Sequence, residues 1–371
     1  MHQIPSGVDF ADLLKKAVEE ALKNRGNVNV LIAGKTGVGK STLINSIFQG
    51  NLAEVGQGRP VTTNTREITK EGIPLSIFDT RGLEIAKFDE TLSALEKFAN
   101  DRSREIDPGK HLHVAWICIS EDSRRLEEGE VTLAKMLDHY MPVIGVVTKS
   151  RADNGFKDYI LEELPFLRNV IRVRAIKDVF EDGHELPPCG LKELVDLTIE
   201  VVPESVKNAF TAAQKVSLKA KINRSHKIVA AAAVTAAGIG AAPVPFADAL
   251  GLVPTQVSML AGISAVFGLE ITTAFLGTLL SGSIVGAGGT VGGRILVANM
   301  LKMIPGAGTL VGGMISGSTA GALTALFGEA YIAALCTLLS SSPDNQPTAQ
   351  QISDAFKVEL QRKSFPSLLG N

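Results

Sequence analysis

Several residue types that mark familiar protein classes are scarce in this chain. Cysteine occurs three times in 371 residues, at Cys118, Cys189 and Cys336, with no CxxC pair and no Cys/His spacing. That argues against a disulfide framework or a zinc site and favours a reducing compartment. Aromatic residues make up 5%, too few for the stacking platforms that hold single-stranded nucleic acid. Neither sign of charge is in excess: 37 Lys and Arg stand against 39 Asp and Glu, a net charge of -2. A nucleic-acid footprint is usually basic, so no nucleic-acid partner is expected. The first residues lack an apolar run, so no secretory signal is expected and the chain reads as cytoplasmic.

What is present is unevenly spread. Residues 1–227 carry charge of both signs, whereas 228–341 hold only Asp248, Glu270, Arg294, Lys302 and Glu329. The same stretch contains 19 of the 36 glycines. A break this sharp marks a domain boundary, and four segments follow: an amphipathic helix within 1–27, a first domain over 28–203, a linker helix and hydrophobic helical domain over 204–341, and a polar linker with a last helix over 342–371.

Within 9–25, Phe10, Leu13, Leu14, Ala17, Val18, Ala21 and Leu22 recur at helical spacing, the pattern of a helix packed on its neighbouring domain. From Val28 onward short apolar runs alternate with helical stretches. The runs are 28–33, 75–79, 113–119, 143–148 and 170–175; the helices are 40–49, 88–104, 126–139, 157–166 and 191–202. Continuous apolar strands separated by helices imply an α/β fold with a doubly wound, mostly parallel sheet covered on both faces. Residues 204–227 read as one connecting helix.

The hydrophobic part has uncharged runs over 228–247, 249–269, 271–293 and 303–328, each beyond the ~18 residues at which a membrane-spanning helix becomes a candidate. Glycines recur four residues apart, as in Gly282/Gly286 and Gly313/Gly317/Gly321, the spacing that lets helix backbones approach closely. Residues Gly286–Gly293 echo Gly306–Gly313. Membrane contact through 228–341 is the expectation, with an Ala/Gly-rich soluble bundle as its alternative.

Chemistry concentrates in one motif. Gly34, Lys35, Thr36, Gly37, Val38, Gly39, Lys40, Ser41 and Thr42 match G-x-x-x-x-G-K-[ST] between an expected strand and an expected helix, the context a phosphate loop requires. Glycines let successive N–H groups turn toward phosphate, and the helix N-terminus adds partial positive charge. Lys40 is placed to neutralise the β and γ phosphates, and Ser41 to ligate Mg²⁺. Asp79-Thr80-Arg81-Gly82 ends the strand 75–79. Asp79 is a candidate to hold Mg²⁺ and Gly82 to offer its N–H to a γ-phosphate, on a loop that moves when that phosphate leaves. Between them, 59–66 reads as a flexible polar stretch in which Thr62, with Thr63 and Thr65 as rivals, is the candidate Mg²⁺-ligating threonine. Thr148 and Lys149 end one strand, Arg174 and Ala175 the next, and together they form a candidate grip on a purine base. The run Glu121–Glu130 reads as a solvated loop and helix start, Trp116 as core, and His111 and His113 as structural or surface residues.

Over 28–202 these residues resemble the translation-factor-like GTPases, nearest to the Era-like and septin-like branch; GKTGVGKST also resembles the loop of immunity-related and chloroplast-import GTPases. Ala241–Asp248, Gln256 and Met259 resemble the helical domain of YcjF-type proteins. The resemblance implies a Mg²⁺-dependent GTPase that binds GTP and GDP, switches between states, and forms a homodimer across the nucleotide face. Three departures qualify it. The family reads guanine with [NT]-K-x-D, but Thr148-Lys149-Ser150 is followed by Arg151, leaving Asp153 as a shifted candidate. Leu83 follows Gly82 where a water-positioning glutamine would stand, which implies slow hydrolysis unless Arg81, Glu84 or a partner molecule supplies catalysis. Gly37 stands where some relatives place a potassium-binding asparagine. The alternatives are a non-hydrolysing scaffold that binds proteins through its helical domain, and an ATPase.

Overall fold

Val28–Ala33 (β1) is buried along its whole length, as a strand covered on both faces must be. Its side chains alternate: Val28, Val30 and Ile32 enter one apolar cluster, and Leu31 and Ala33 enter another. This is the period-two geometry of a strand between two helical layers. One layer holds Lys40–Ile47 (α2), Leu191–Val201 (α7) and Lys207–Ala213 (α8), through Leu43, Leu194 and Phe210 among others. The opposite layer holds Phe88–Ser103 (α4), Glu128–Asp138 (α5) and Phe156–Glu163 (α6), through Leu95, Leu133 and Ile160. A short helix, Leu52–Val55 (α3), follows α2.

The computed structural model describes residues 10–55, 57–62, 65–80, 88–241, 252–281, 317–341 and 346–364. Its main sheet has seven strands ordered β2-β3-β4-β1-β5-β6-β7, where β2 is Gln57–Thr62, β3 Thr65–Thr69, β4 Leu75–Thr80, β5 Val114–Ser120, β6 Val143–Thr148 and β7 Val170–Arg172. The five strands from β4 to β7 in that order run parallel, and β3 is antiparallel to both of its neighbours, β2 and β4. The expected doubly wound, mostly parallel sheet is therefore present. β1 sits where the connections part, its neighbours β4 and β5 lying on opposite sides. In open α/β sheets that switch point is where ligands bind, beyond the carboxyl ends of the strands.

The stretch 59–66, expected as a loop, instead supplies the end of β2 and the start of β3, with Thr62 opposite Thr65. β2 is an edge strand and its register shifts between Pro60 and Thr62, which is how a strand accommodates proline. A second sheet pairs Asp178–Val179 (β8) with Glu185–Leu186 (β9).

The chain divides into two compact units, 26–217 and 1–25 together with 218–371. The division falls between Ser217 and Leu218. Residues 204–227 are not one helix: α8 ends at Ala213, and Leu218–Ala241 (α9) begins after a break. Gln214 holds that break, its Oε1 accepting Ser217 N at 2.7 Å and its Nε2 donating to Ser217 O at 3.0 Å. Phe210 of α8 packs edge-on against Phe48 and Trp116 in the sheet unit, which is why 204–217 belongs there.

In the helical unit, Phe10–Arg25 (α1) buries Leu13, Leu14, Ala17 and Ala21 in one core with Val253–Phe267 (α10) and Thr273–Ser281 (α11). The expected packing of α1 on the first domain is thereby corrected: its apolar stripe belongs to the helical core. Gly317–Ser341 (α12) lies antiparallel to α9. A Cβ on Gly317 would stand 2.5 Å from Ala237 O, and one on Gly321 3.0 Å from Ala233 O. The small-residue spacing at Gly317/Gly321 is thus a helix–helix contact. Ala349–Ser364 (α13) closes this core with Phe356, which meets Phe327 and Tyr331 edge-on. Among the described residues, α12 alone is long and apolar enough to cross a membrane. The uncharged run 249–269 does not make a spanning helix, because α10 has 15 residues and ends at Gly268 with φ +80°, short of the ~20 a bilayer needs. The echo between 286–293 and 306–313 and the stretch 242–251 lie outside the described residues.

Candidate nucleotide site

The loop between β1 and α2 passes close against β5. Gly34 has φ +147°, and a Cβ there would lie 2.4 Å from Cys118 O, so only glycine fits. Gly39 has φ +99° and precedes α2 with no side-chain cap, which leaves the first-turn N–H groups of α2 to an anion. Lys40 lies across the loop, its Nζ donating to Gly34 O at 2.7 Å and Lys35 O at 3.0 Å. Lys35 pairs with Glu127, whose carboxyl is held below the usual range chiefly by that lysine. Glu127 and Glu130 form the capping box that starts α5.

Asp79 is buried near the end of β4, in register with Ile32 of β1. Burial pushes the Cys118 thiol up to about 12, with Lys40 opposing and Asp79 reinforcing the shift. Both charges are therefore felt at one place, where β1, β4 and β5 end. Asp79 and the Ser41 hydroxyl are hard oxygen donors, which fits Mg²⁺ completed by phosphate oxygens. Among the described residues no group of three His, Cys, Asp or Glu side chains stands together for a metal. Of the rival threonines, Thr62 ends β2, while Thr65 is buried opposite Thr80 in the sheet. Thr63 and Gly82, with Arg81, Leu83 and Glu84, lie outside the described residues.

A cavity of about 250 Å³ adjoins the loop, lined by Gly39, Thr148, Lys149, Arg151, Ala175 and Asp178 among others. Val38, Thr42 and Arg174 also face it. Thr148 acts on the loop itself: its buried hydroxyl approaches Val38 O at 2.6 Å and Ile119 O at 3.2 Å. Lys149 is left-handed, φ +54°, and its ammonium lies 3.6 Å from Asp122. Arg174 donates to Ser150 O at 2.7 Å and Pro187 O at 2.7 Å, bracing the wall.

Asp153 does not line this cavity. Its Oδ1 accepts Lys157 N at 3.1 Å, in the first turn of α6, and lies 3.3 Å from Arg172 Nε. The side chain expected to read the base is thus committed to a helix start and an arginine. Glu121 directs this arrangement. It is 3% exposed, accepts the N–H groups of Arg151 and Ala152, and pairs with Arg172 at 2.9 Å. The run Glu121–Glu130 is therefore not simply solvated, since Glu130 is buried as well. A single carboxylate satisfying two backbone donors and a guanidinium leaves no local signature in a charged stretch. Trp116 is core, stacked on Phe48 and donating to Thr198. His113 is buried, accepts Asn29 N through Nδ1 at 2.9 Å and meets Pro108 O through Nε2 at 3.0 Å. It is a structural link between β1 and the turn before β5.

Residues 29–149 match the family model described as 50S ribosome-binding GTPase, and 205–362 match a domain of unknown function, DUF697. The chain is a P-loop GTPase domain fused to a DUF697 domain. The GTPase domain is 26% identical over 183 residues to the tRNA modification GTPase MnmE of Alkaliphilus oremlandii, an alignment of 48% of this chain and 35% of that protein. It is 42% identical over 86 residues to the chloroplastic translocase of chloroplast 159 of Arabidopsis thaliana, covering 22% of this chain and 6% of that one. Among solved structures, the G domain of the T. maritima FeoB iron transporter is similar over 47% of this chain and 98% of its own, at 21% identity and a TM-score of 0.31. The chain spans about a third or less of the curated relatives' length in these two alignments.

Proposed function

We propose that the GTPase domain binds GTP and GDP with Mg²⁺, hydrolyses GTP slowly, and acts as a nucleotide switch on the DUF697 domain. The observation that carries this reading is the phosphate loop: Lys40 and the uncapped start of α2 at the switch point of a doubly wound sheet. Lys40 would leave its loop carbonyls to meet the β and γ phosphates, and the loop N–H groups would stabilise charge on the transferred group. Ser41, Thr62 and Asp79 are the residues that would hold Mg²⁺. When bound, that ion neutralises charge on the phosphate oxygens. Gly82 would offer its N–H to the γ-phosphate. Leu83 has no polar group with which to orient water, so a dimer across the nucleotide face, or a partner, supplies that group. The 25-residue apolar length of α12 supports membrane contact by the DUF697 domain at the cytoplasmic side.

The test is equilibrium binding of GTP and GDP to the full chain with Mg²⁺, ATP competing, followed by phosphate release at rising protein concentration. Tight binding that ATP does not displace, with a rate per molecule that rises with concentration, is expected. Binding without phosphate release at any concentration would replace the hydrolytic reading with a scaffold.

A further inference from the structure

The place where a base-reading carboxylate would follow Thr148-Lys149-Ser150 is filled by Arg151, and the structure sends that guanidinium to Asp178. Arg151 Nε donates to Asp178 Oδ2 at 2.7 Å, and the guanidinium sits 5.4 Å over the Phe180 ring. Asp178 begins the β8–β9 hairpin and forms part of the cavity wall beside Lys149 and Ala175, while Asp153 does not reach it. Asp122 also lines the cavity, 3.6 Å from the Lys149 ammonium, but among the described residues no arginine holds it in place as Arg151 holds Asp178 at 2.7 Å.

We propose that Asp178 is the residue that selects guanine, delivered from the hairpin after β7 and positioned by Arg151. The inference rests on the guanine reading above and assigns its specificity. Guanine presents two adjacent donors, N1–H and the exocyclic N2–H₂, and a carboxylate has acceptor sites enough to take both while still held by an arginine. Adenine offers no such pair on that edge. A charge exchange explains the departure from the family motif: Arg151 stands where the carboxylate would be, and it holds a carboxylate from elsewhere in the same pocket. Arg151 and Arg174 keep Asp178 ionised, the form that accepts both donors. Arg151 is thus a positioning residue and Asp178 the recognising one.

The experiment is competition of GTP, XTP and ATP against a fluorescent GTP analogue on the full chain with Mg²⁺, for the unaltered protein, Asp178→Asn, Asp153→Asn and Arg151→Ala. Xanthine carries a carbonyl where guanine carries the amine, so an amide at 178 pairs with it. In Asp178→Asn, GTP affinity should fall on the order of 100-fold and the GTP-over-XTP preference should invert. Asp153→Asn should leave the preference unchanged, and Arg151→Ala should weaken GTP-over-ATP discrimination about tenfold while keeping its direction. A preference ratio does not depend on the folded fraction, so partial instability does not obscure it. Equal weakening of all three nucleotides in Asp178→Asn, or an unaltered preference, would overturn the assignment, as would inversion in Asp153→Asn. Should Asp178→Asn not fold, retained discrimination in Arg151→Ala overturns it. Failure of the unaltered chain to bind GTP would instead remove the guanine reading on which the assignment stands.

Discussion

The interior of 26–217 is filled by branched and aromatic side chains from strands and flanking helices, and glycine is needed where a loop passes a strand, at Gly34 against Cys118 and at Gly190 against Arg172. In the helical unit the contact of α9 with α12 is made where side chains are nearly absent: Gly317, Gly321 and Gly240 face alanines and backbone. The first kind of interior gains its stability from apolar area removed from water. The second relies in part on backbone proximity and dispersion, so it leaves little room for an added carbon. Buried polarity differs as well. In the sheet unit it forms a network, Glu121 with Arg172 and two backbone donors. In the helical unit Lys221 is buried with its Nζ donating to Phe267 O at 3.0 Å, at the end of α10. Polar burial serves the site in one unit and a helix end in the other.

The sharpest separation of the two units is Lys40→Ala. It should lower Mg²⁺-nucleotide affinity about 100-fold or more without moving the unfolding of the helical unit; titration calorimetry with a melting curve checks both, and unchanged affinity would remove the phosphate-loop assignment. Gly321→Leu is its converse. Four carbons placed against Ala233 O should destabilise the helical unit by about 3 kcal/mol and leave nucleotide affinity intact. Denaturant unfolding measures it, and a neutral result would sink the α9–α12 contact.

Acidity separates the units more gently. Burial lowers Lys221 from its ordinary 10.5 to about 7, so between those values the folded state binds fewer protons than the unfolded one. Stability of the helical unit should therefore rise with pH across about 7 to 10.5 and be lost as pH falls through that range. Lys221→Met should flatten that slope. In the sheet unit, burial lowers His113 from 6.5, so the same sign applies in a lower window: stability falls as pH drops below 6.5. Melting temperatures across pH 5 to 10 test both; a slope unaffected by Lys221→Met would disprove the first. The smallest change is Thr148→Val, which removes the tie to Val38 O. It should cost the sheet unit about 1 kcal/mol and nucleotide affinity about threefold, with GTP-over-ATP preference unchanged. A change in that preference would mean Thr148 touches the base.

Much of the sheet unit is legible in the chain because its signals are local. Continuous apolar runs at 28–33, 75–79 and 143–148 are strands within a residue or so, and the helices between them lie close to their expected spans. Four features resist such reading. The β2–β3 hairpin has no apolar alternation and depends on pairing with β4. The break at 214–217 depends on how the Gln214 side chain folds back. Glu121 looks like surface until its partners from 151, 152 and 172 are brought to it. Asp178 is invisible beside a motif that ends 25 or more residues earlier, because no local pattern says which carboxylate the pocket will use.

The amino-acid sequence alone makes legible the phosphate loop, the five parallel strands with the helices between them, and the divide between a charged part and an uncharged one. Each follows from contacts or periodicities a few residues long. The closed fold adds that α1 belongs to the helical core, that Gly317 and Gly321 face α9, that Asp153 lies off the cavity, and that Arg151 holds Asp178 at its wall. These depend on which distant residues meet, and an apolar stripe or a charged side chain carries no label for its partner until the chain has closed around both.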